Sequence, residues 1–247
     1  MTSIEINNLI KLAKEASNVA LESLHSNKNT YLKSNFQKKL DRELKSEIDF
    51  INNKLIIDIL KKSNIPYISE ESPSNLEHNN LNWIIDPLDG TINYVRDIGS
   101  CGISIALFNG KNPIFGVFAE YPSGKLYWGG KKIGAFCDDI ELNVSYVSNK
   151  KNAVLATGFP SRYDFNQSIN NQMFSEYAKI RMLGSAAFSL VNVAKGSIDC
   201  YNENNIMIWD VAAGIAIVEG AGGSYHFDSQ NILSPLNVYA DNGKLNK

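Results

Sequence analysis

The chain has 247 residues, 44% hydrophobic and 20% charged, with a formal net charge of −2 at pH 7. A chain of that length and make-up buries its own core without disulfides or a structural metal, and its charge balance provides no basic face for nucleic acid, which is not an expected partner. Its 3 cysteines (Cys101, Cys137, Cys200) and 3 histidines (His25, His78, His226) are scattered, which argues against a disulfide framework, a zinc site and a Ser-His-Asp hydrolase, and favours a reducing, cytoplasmic setting.

In chain order, Ile4, Leu9, Ala13, Ala16, Ala20 and Leu24 recur at helical spacing and predict an amphipathic helix over residues 2–25 rather than a targeting segment. Residues 26–45 are polar and aperiodic and read as a loop, its basic stretch Lys33–Lys45 interleaved with acids as a solvated surface. A second helix follows, with Ser46 as its cap and Ile48, Ile51, Leu55, Ile59 and Leu60 as its apolar stripe, broken at Asn64-Ile65-Pro66. Short strands are expected at 67–69, 82–86, 102–108, 114–121, 125–129 and 134–137, separated by Gly, Pro and Asn turns. Thereafter strands at 153–157, 179–183, 197–201, 223–227 and 236–240 alternate with helices at 167–178, 186–195 and 210–220. No apolar run approaches the ~20 residues of a membrane span. There is no internal repeat and no low-complexity linker, so residues 1–247 read as one unit of layered helices and sheets, with possible lobes 1–145 and 146–247.

The most informative stretch is Trp83-Ile84-Ile85-Asp86-Pro87-Leu88-Asp89-Gly90-Thr91-Ile92-Asn93. An apolar strand ends there in two carboxylates, followed by a Gly and a Thr whose N–H groups are available at a helix start. Two carboxylates held close repel unless a proton or a cation lies between them. Oxygen ligands without Cys or His suit Mg²⁺ or Mn²⁺ better than Zn²⁺ or Cu²⁺. Other acids stand at suggestive places: Glu70-Glu71 after Tyr67-Ile68-Ser69, Asp49 in the first turn of the second helix, and Asp210 after Ile206-Met207-Ile208-Trp209. Each has an ordinary reading, as a solvated loop or a helix cap. The small residues of Gly184-Ser185-Ala186-Ala187 open a helix that either walls the same pocket or packs tightly for its own sake.

Asp86-Pro87-Leu88-Asp89-Gly90-Thr91-x-Asn93 and Trp209-Asp210-x-Ala212-Ala213-Gly214 resemble the two signature motifs of the inositol monophosphatase family, the lithium-sensitive, Mg²⁺-dependent phosphatase superfamily. Lys45-Ser46-Glu47-Ile48-Asp49, Ser69-Glu70-Glu71-Ser72, Ala156-Thr157-Gly158-Phe159-Pro160, Arg181-x-x-Gly184-Ser185-Ala186-Ala187 and Asp199-x-Tyr201-x-Glu203 fall in the expected order, so the resemblance spans nearly the whole chain. It implies an α+β fold, a layered α-β-α-β-α sandwich of the sugar-phosphatase type, commonly a homodimer. It also implies that Glu70, Asp86 and the Leu88 carbonyl hold one Mg²⁺, that Asp86, Asp89 and Asp210 hold a second, and that Glu70 shares a weaker third, with Mn²⁺ a possible substitute. Glu70 and Thr91, with Asp49 behind Thr91, are then the catalytic residues that position and activate a water. The substrate contacts are Asp89, Gly90, Thr91, Gly184, Ser185, Ala186, Glu203 and Asp210, Glu203 meeting a polyol hydroxyl. The chain departs from the family pattern at Ser46 (commonly Thr) and Ser69 (usually Gly), and it stops soon after Tyr239-Ala240-Asp241-Asn242, where relatives usually carry a further helix.

The implied activity is hydrolysis of a small polyol or sugar phosphate, myo-inositol monophosphate first, by metal-activated water without a phospho-enzyme. Asn93-Tyr94 after the Thr, with Glu203, favours that branch over siblings acting on histidinol phosphate, 3′-phosphoadenosine 5′-phosphate or fructose 1,6-bisphosphate. A non-catalytic regulatory binding protein on the same fold is the alternative from another class.

Overall fold

The computed structural model describes residues 1–31, 37–40, 43–45, 47–72, 81–158, 175–228 and 231–245. Its helices in chain order are α1 (Ser3–Tyr31), α2 (Glu47–Leu60), α3 (Thr91–Val95), α4 (Ala186–Ala194) and α5 (Ile208–Gly220). Strands β1 (Gln37–Leu40) and β2 (Glu43–Lys45) form an antiparallel ribbon. A seven-stranded sheet runs in sequence order through β3 (Tyr67–Ser69), β4 (Asn82–Asp89), β5 (Cys101–Phe108), β6 (Pro113–Tyr121), β7 (Leu126–Gly130), β8 (Gly134–Cys137) and β9 (Ile140–Glu141). All its pairs are antiparallel except β3–β4. A five-stranded sheet has the order β11 (Lys179–Arg181), β10 (Val154–Ala156), β12 (Cys200–Ile206), β14 (Leu236–Asp241), β13 (Ser224–Asp228). There β10 is parallel to both neighbours, and the remaining pairs are antiparallel.

The period-2 alternation of the central strands explains the layering. Trp83, Ile85, Ile103, Ile105, Leu107, Phe115 and Val117 face α1 and α2, where Ala13, Ala16, Ala20, Leu24, Ile56 and Leu60 complete one core. Ile84, Ala106, Phe108 and Phe118 face the opposite way, onto Leu190 of α4 and Ile208, Val211 and Ala212 of α5, in a second core that extends to Tyr201, Leu236 and Val238 of the five-stranded sheet. With both faces covered, β4 is buried along its whole length, as a near-continuous apolar run requires. Gly116 lets α5 lie close on the sheet, because a Cβ there would come within 2.3 Å of the Ala213 carbonyl oxygen. The layers thus read α1/α2, seven-stranded sheet, α4/α5, five-stranded sheet. A small third cluster of Ala153, Leu155, Tyr177, Cys200 and Leu245 is separate from these two cores. The helix expected at 167–178 falls mostly outside the described residues, as do the cap Ser46, His78, and Phe159 and Pro160.

Several expectations are corrected. The first helix continues to Tyr31, and Ile4, counted in its apolar stripe, is 72% exposed. The loop expected over 26–45 contains the tail of α1 and the β1–β2 ribbon, which pairs through its backbone and has no apolar period to betray it. The strand expected to stop at Asp86 runs on to Asp89, and the one expected at 197–201 is instead Cys200–Ile206. Its second half, Asn202-Glu203-Asn204-Asn205, is polar and carries no strand signal. Residues 197 and 198 close a turn on α4, both N–H groups donating to the Asn192 carbonyl.

Candidate active site

The parallel β3–β4 pair sets the first carboxylate. The Glu70 N–H donates to the Ile85 carbonyl at 3.2 Å, which carries the ladder one residue past β3 and fixes the turn that bears Glu70. On β4, Asp86 shares the face of Ile84, looking towards α5. It is paired across the sheet with Ser104, whose hydroxyl donates to the Trp209 carbonyl at 3.3 Å. That contact joins β5 to the start of α5, where Asp210 lies in the first turn with one oxygen accepting from the Met207 N–H at 3.1 Å. Asp210 is therefore a helix cap, as its ordinary reading had it, and its other oxygen is not used by that bond. The result is that Glu70, Asp86 and Asp210 bring carboxylate oxygens within 4.8 Å of one another.

Between Asp86 and Asp89 the β4–β5 register shifts. Pro87 has no N–H to give the ladder, and the Leu88 N–H turns back to an Asp86 oxygen at 2.9 Å. This bulge places Asp89 beside α4. One Asp89 oxygen accepts from the Ser185 hydroxyl at 2.6 Å and from the Ala187 N–H at 2.7 Å. Ser185 also caps α4, accepting from the Phe188 N–H at 3.1 Å. Both readings of the Gly184–Ala187 segment meet here: it is a tightly packed helix start, and what it packs on is a candidate ligand. Gly90, at φ +89°, turns the chain into α3, and a Cβ there would meet the Cys101 Cβ at 2.9 Å and the Gly184 carbonyl at 3.3 Å. Thr91 opens α3. Its hydroxyl lies 2.9 Å from an Asp49 oxygen and 3.2 Å from the Leu88 carbonyl, so Asp49, buried in the first turn of α2, stands behind Thr91.

The carboxyl of Asp86 is pushed well above the usual carboxylate range, first by burial and then by the charges of Glu70, Asp89 and Asp210. That of Asp89 is pushed up to about 7, again by burial first, although the Ser185, Ala187 and Ala186 donors oppose the rise. The cluster is in conflict with itself as bare anions. A divalent cation resolves that conflict, and an all-oxygen donor set from several elements suits a hard one. The residues present therefore fit a metal.

Glu203, on β12, stands apart from the tight trio. Its carboxylate accepts from the Tyr201 hydroxyl at 2.7 Å and from the Gly158 N–H, and burial pushes it up to about 7 against those two donors. Tyr201 is fully buried, and its phenol is raised by burial and then by Glu203, Asp210 and Asp89. Sequence reasoning gave no role to Ser104 or Tyr201. Tyr201 was visible within the Asp199-x-Tyr201-x-Glu203 match, and Ser104 was the one polar side chain inside an otherwise apolar strand, the available signals for each.

A family model described as the inositol monophosphatase family matches residues 4–243. A protein of Aquifex aeolicus named fructose-1,6-bisphosphatase/inositol-1-monophosphatase is 32% identical over 223 residues, 87% of this chain and 84% of that protein. The Nus factor SuhB of Xylella fastidiosa is 33% identical over 224 residues, 88% of this chain and 80% of its own. The crystal structure of extragenic suppressor protein SuhB from Bartonella henselae superposes with a TM-score of 0.86 at 29% identity, covering 95% of this chain and 94% of that one. With the carboxylates of both signature motifs gathered in one place, the chain belongs to the inositol monophosphatase family, whose members are phosphoric monoester hydrolases.

Proposed function

We propose that the protein is a Mg²⁺-dependent phosphomonoesterase acting on a small polyol phosphate, myo-inositol monophosphate first. The observation that carries this reading is the meeting of Glu70, Asp86 and Asp210 within 4.8 Å, from three elements far apart in sequence. Glu70, Asp86, Asp89, Asp210 and the Leu88 carbonyl would hold two or three ions, Mn²⁺ being a possible substitute. When bound, such ions acidify water, neutralise the phosphate and stabilise the leaving oxygen.

The chain's own residues supply the rest. The single proton of the Thr91 hydroxyl is committed to Asp49 or to the Leu88 carbonyl. Its remaining lone pairs are then available to accept a hydrogen bond from the attacking water and aim that water at phosphorus. Glu70 is the base that takes the water's proton. Gly90, Thr91, Gly184, Ser185 and Ala186 line the phosphate side, with Asp89 and Asp210 at the ester. Glu203, held by Tyr201 and Gly158, reads a substrate hydroxyl. We also place the protein in the cytoplasm, as its scattered cysteines favour, and as a homodimer, as the family resemblance implies. No helix among the described residues is long and apolar enough to cross a membrane.

The name of the Aquifex relative keeps fructose 1,6-bisphosphate among the candidate substrates, and that of the Xylella relative matches a regulatory binding role. The complete carboxylate set favours catalysis over the second. Release of inorganic phosphate from inositol 1-phosphate, histidinol phosphate, 3′-phosphoadenosine 5′-phosphate and fructose 1,6-bisphosphate, each with Mg²⁺, tests the proposal. Inositol phosphate is expected to give the highest kcat/KM. A tenfold preference for any of the others would replace it as the substrate, and no release from any would remove the catalytic reading.

A further inference from the structure

Helix α2 carries three buried polar side chains on a face that is otherwise apolar. Asp49, Asn52 and Asn53 are 1%, 0% and 9% exposed among Ile48, Ile56, Ile57 and Leu60. Their spacing, i, i+3 and i+4, puts them side by side. Each reaches a different segment of the candidate site. Asp49 meets the Thr91 hydroxyl. The Asn52 amide donates to the Pro87 carbonyl at 3.4 Å, inside the bulge between Asp86 and Asp89. Asn53 accepts from the Ser69 hydroxyl at 2.6 Å and donates to the Ser72 hydroxyl at 3.3 Å, so it spans the turn that bears Glu70. The same Ser69 oxygen accepts from the Glu71 N–H at 3.4 Å.

We propose that the Asn52–Asn53 amide pair, with Ser69, is a positioning device that ties the Glu70 turn and the Asp86–Asp89 bulge to one helix and so sets the spacing of the carboxylates. This inference rests on the metal reading of the site. Two observations favour it over ordinary core packing. The Asn52 side-chain oxygen is buried with no hydrogen-bond partner among the described residues. An unpaired buried acceptor costs stability, which offsets the one long bond that Asn52 donates, so an apolar residue at 52 would serve the fold about as well. Ser69, fully buried, stands where the family pattern has Gly. A Gly has no hydroxyl for Asn53, so this clamp is a feature of this chain and not of the shared motif.

The test uses the full chain, stripped with EDTA and titrated with Mg²⁺. Thermal melting gives the half-saturating Mg²⁺ concentration without reference to activity, and phosphate release at saturating Mg²⁺ gives KM. In Ser69→Ala, Asn53→Ala and Asn52→Leu the half-saturating Mg²⁺ is expected to rise about tenfold, the scale for partners that orient metal ligands, with KM within about twofold of wild type. Ser69→Ala removes a single oxygen and carries the test should Asn53→Ala fail to fold. The Ser69→Ala/Asn53→Ala double variant is expected to fall short of the summed effects of the two singles, because both delete the Ser69–Asn53 bond while each removes one further bond of its own. Asn52→Leu removes an orphaned acceptor and one long bond together and should melt close to the wild-type temperature in EDTA while binding Mg²⁺ more weakly, a combination that a purely structural role does not produce. Mg²⁺ half-saturation within about twofold of wild type in all three variants would overturn the inference alone. A wild type that neither melts higher nor turns over with Mg²⁺ would overturn the metal reading and this inference with it.

Discussion

Remove the metal and raise the pH, and the folded chain should weaken. Asp89 has an ordinary carboxyl value of 3.8 and is pushed up to about 7 in the folded state by burial, and Asp86 moves in the same direction through burial and its charged neighbours. A carboxyl with a raised folded value binds its proton more tightly folded than unfolded. Between roughly pH 4 and pH 7 the folded state therefore holds more protons, and stability falls as pH rises through that window. At 1.36 kcal/mol per pH unit, Asp89 alone contributes a loss of about 4 kcal/mol once fully ionised. About 3 kcal/mol of that loss falls above pH 5, so at about 2–4 °C per kcal/mol for a chain of this length the metal-free melting temperature should drop by roughly 5–10 °C from pH 5 to pH 8. Mg²⁺ binds the ionised form and releases protons, so its stabilisation should be greatest at pH 8 and the drop should largely vanish in excess Mg²⁺. Asp89→Asn keeps an oxygen for Ser185 and Ala187 but cannot ionise, and should flatten part of the drop. Melting curves in EDTA and in Mg²⁺ across this range are the assay. A metal-free melting temperature that is level or rises from pH 5 to pH 8 would refute the electrostatic reasoning.

Asp210→Asn retains the cap on Met207 and should leave the circular dichroism spectrum and melt near wild type, while kcat/KM for phosphate release falls by more than about a hundredfold, the upper range for residues that only support metal ligands. Thr91→Ala removes the hydroxyl beside buried Asp49 and should cost about 1–3 kcal/mol in denaturant melts as well as kcat, whereas Thr91→Ser restores both. Glu203→Gln should raise KM for inositol 1-phosphate and leave KM for phenyl phosphate, which has no hydroxyl to read, unchanged; equal effects on the two esters would remove Glu203 from substrate recognition.

The sequence made the ends of this site legible and its supports obscure, for a physical reason. Asp86, Asp89 and Gly90-Thr91 lie within a few residues, so a bulge and a helix start suffice to bring them together. Glu70 and Asp210 stood at strand and helix boundaries where a solvated loop or a helix cap explains them equally well, and only the resemblance to the family's motifs singled them out. The bulge itself was hidden, because Pro87-Leu88 reads as a turn, whereas the strand resumes after it and pairs Asp89 with Gly102. Asn52 and Asn53 looked like ordinary polar positions of an amphipathic helix; only the packing of α2 between the Glu70 turn and the β4 bulge shows that they face inwards. Tyr201 fell at the end of the expected strand, but Glu203 lies in its polar second half, which carries no strand signal and is held by pairing with β14. Long-range partners such as Ser185, 96 residues from Asp89, depend on the stacking of α4 beside that bulge, which no local pattern encodes.

The most direct measurement is release of inorganic phosphate from myo-inositol 1-phosphate by the EDTA-treated chain before and after Mg²⁺ is restored. Hydrolysis that is absent in EDTA and returns with Mg²⁺, in wild type but not in Asp210→Asn, is the predicted result. Equal hydrolysis in EDTA, or full activity in Asp210→Asn, would contradict a carboxylate-held metal at the centre of the chemistry.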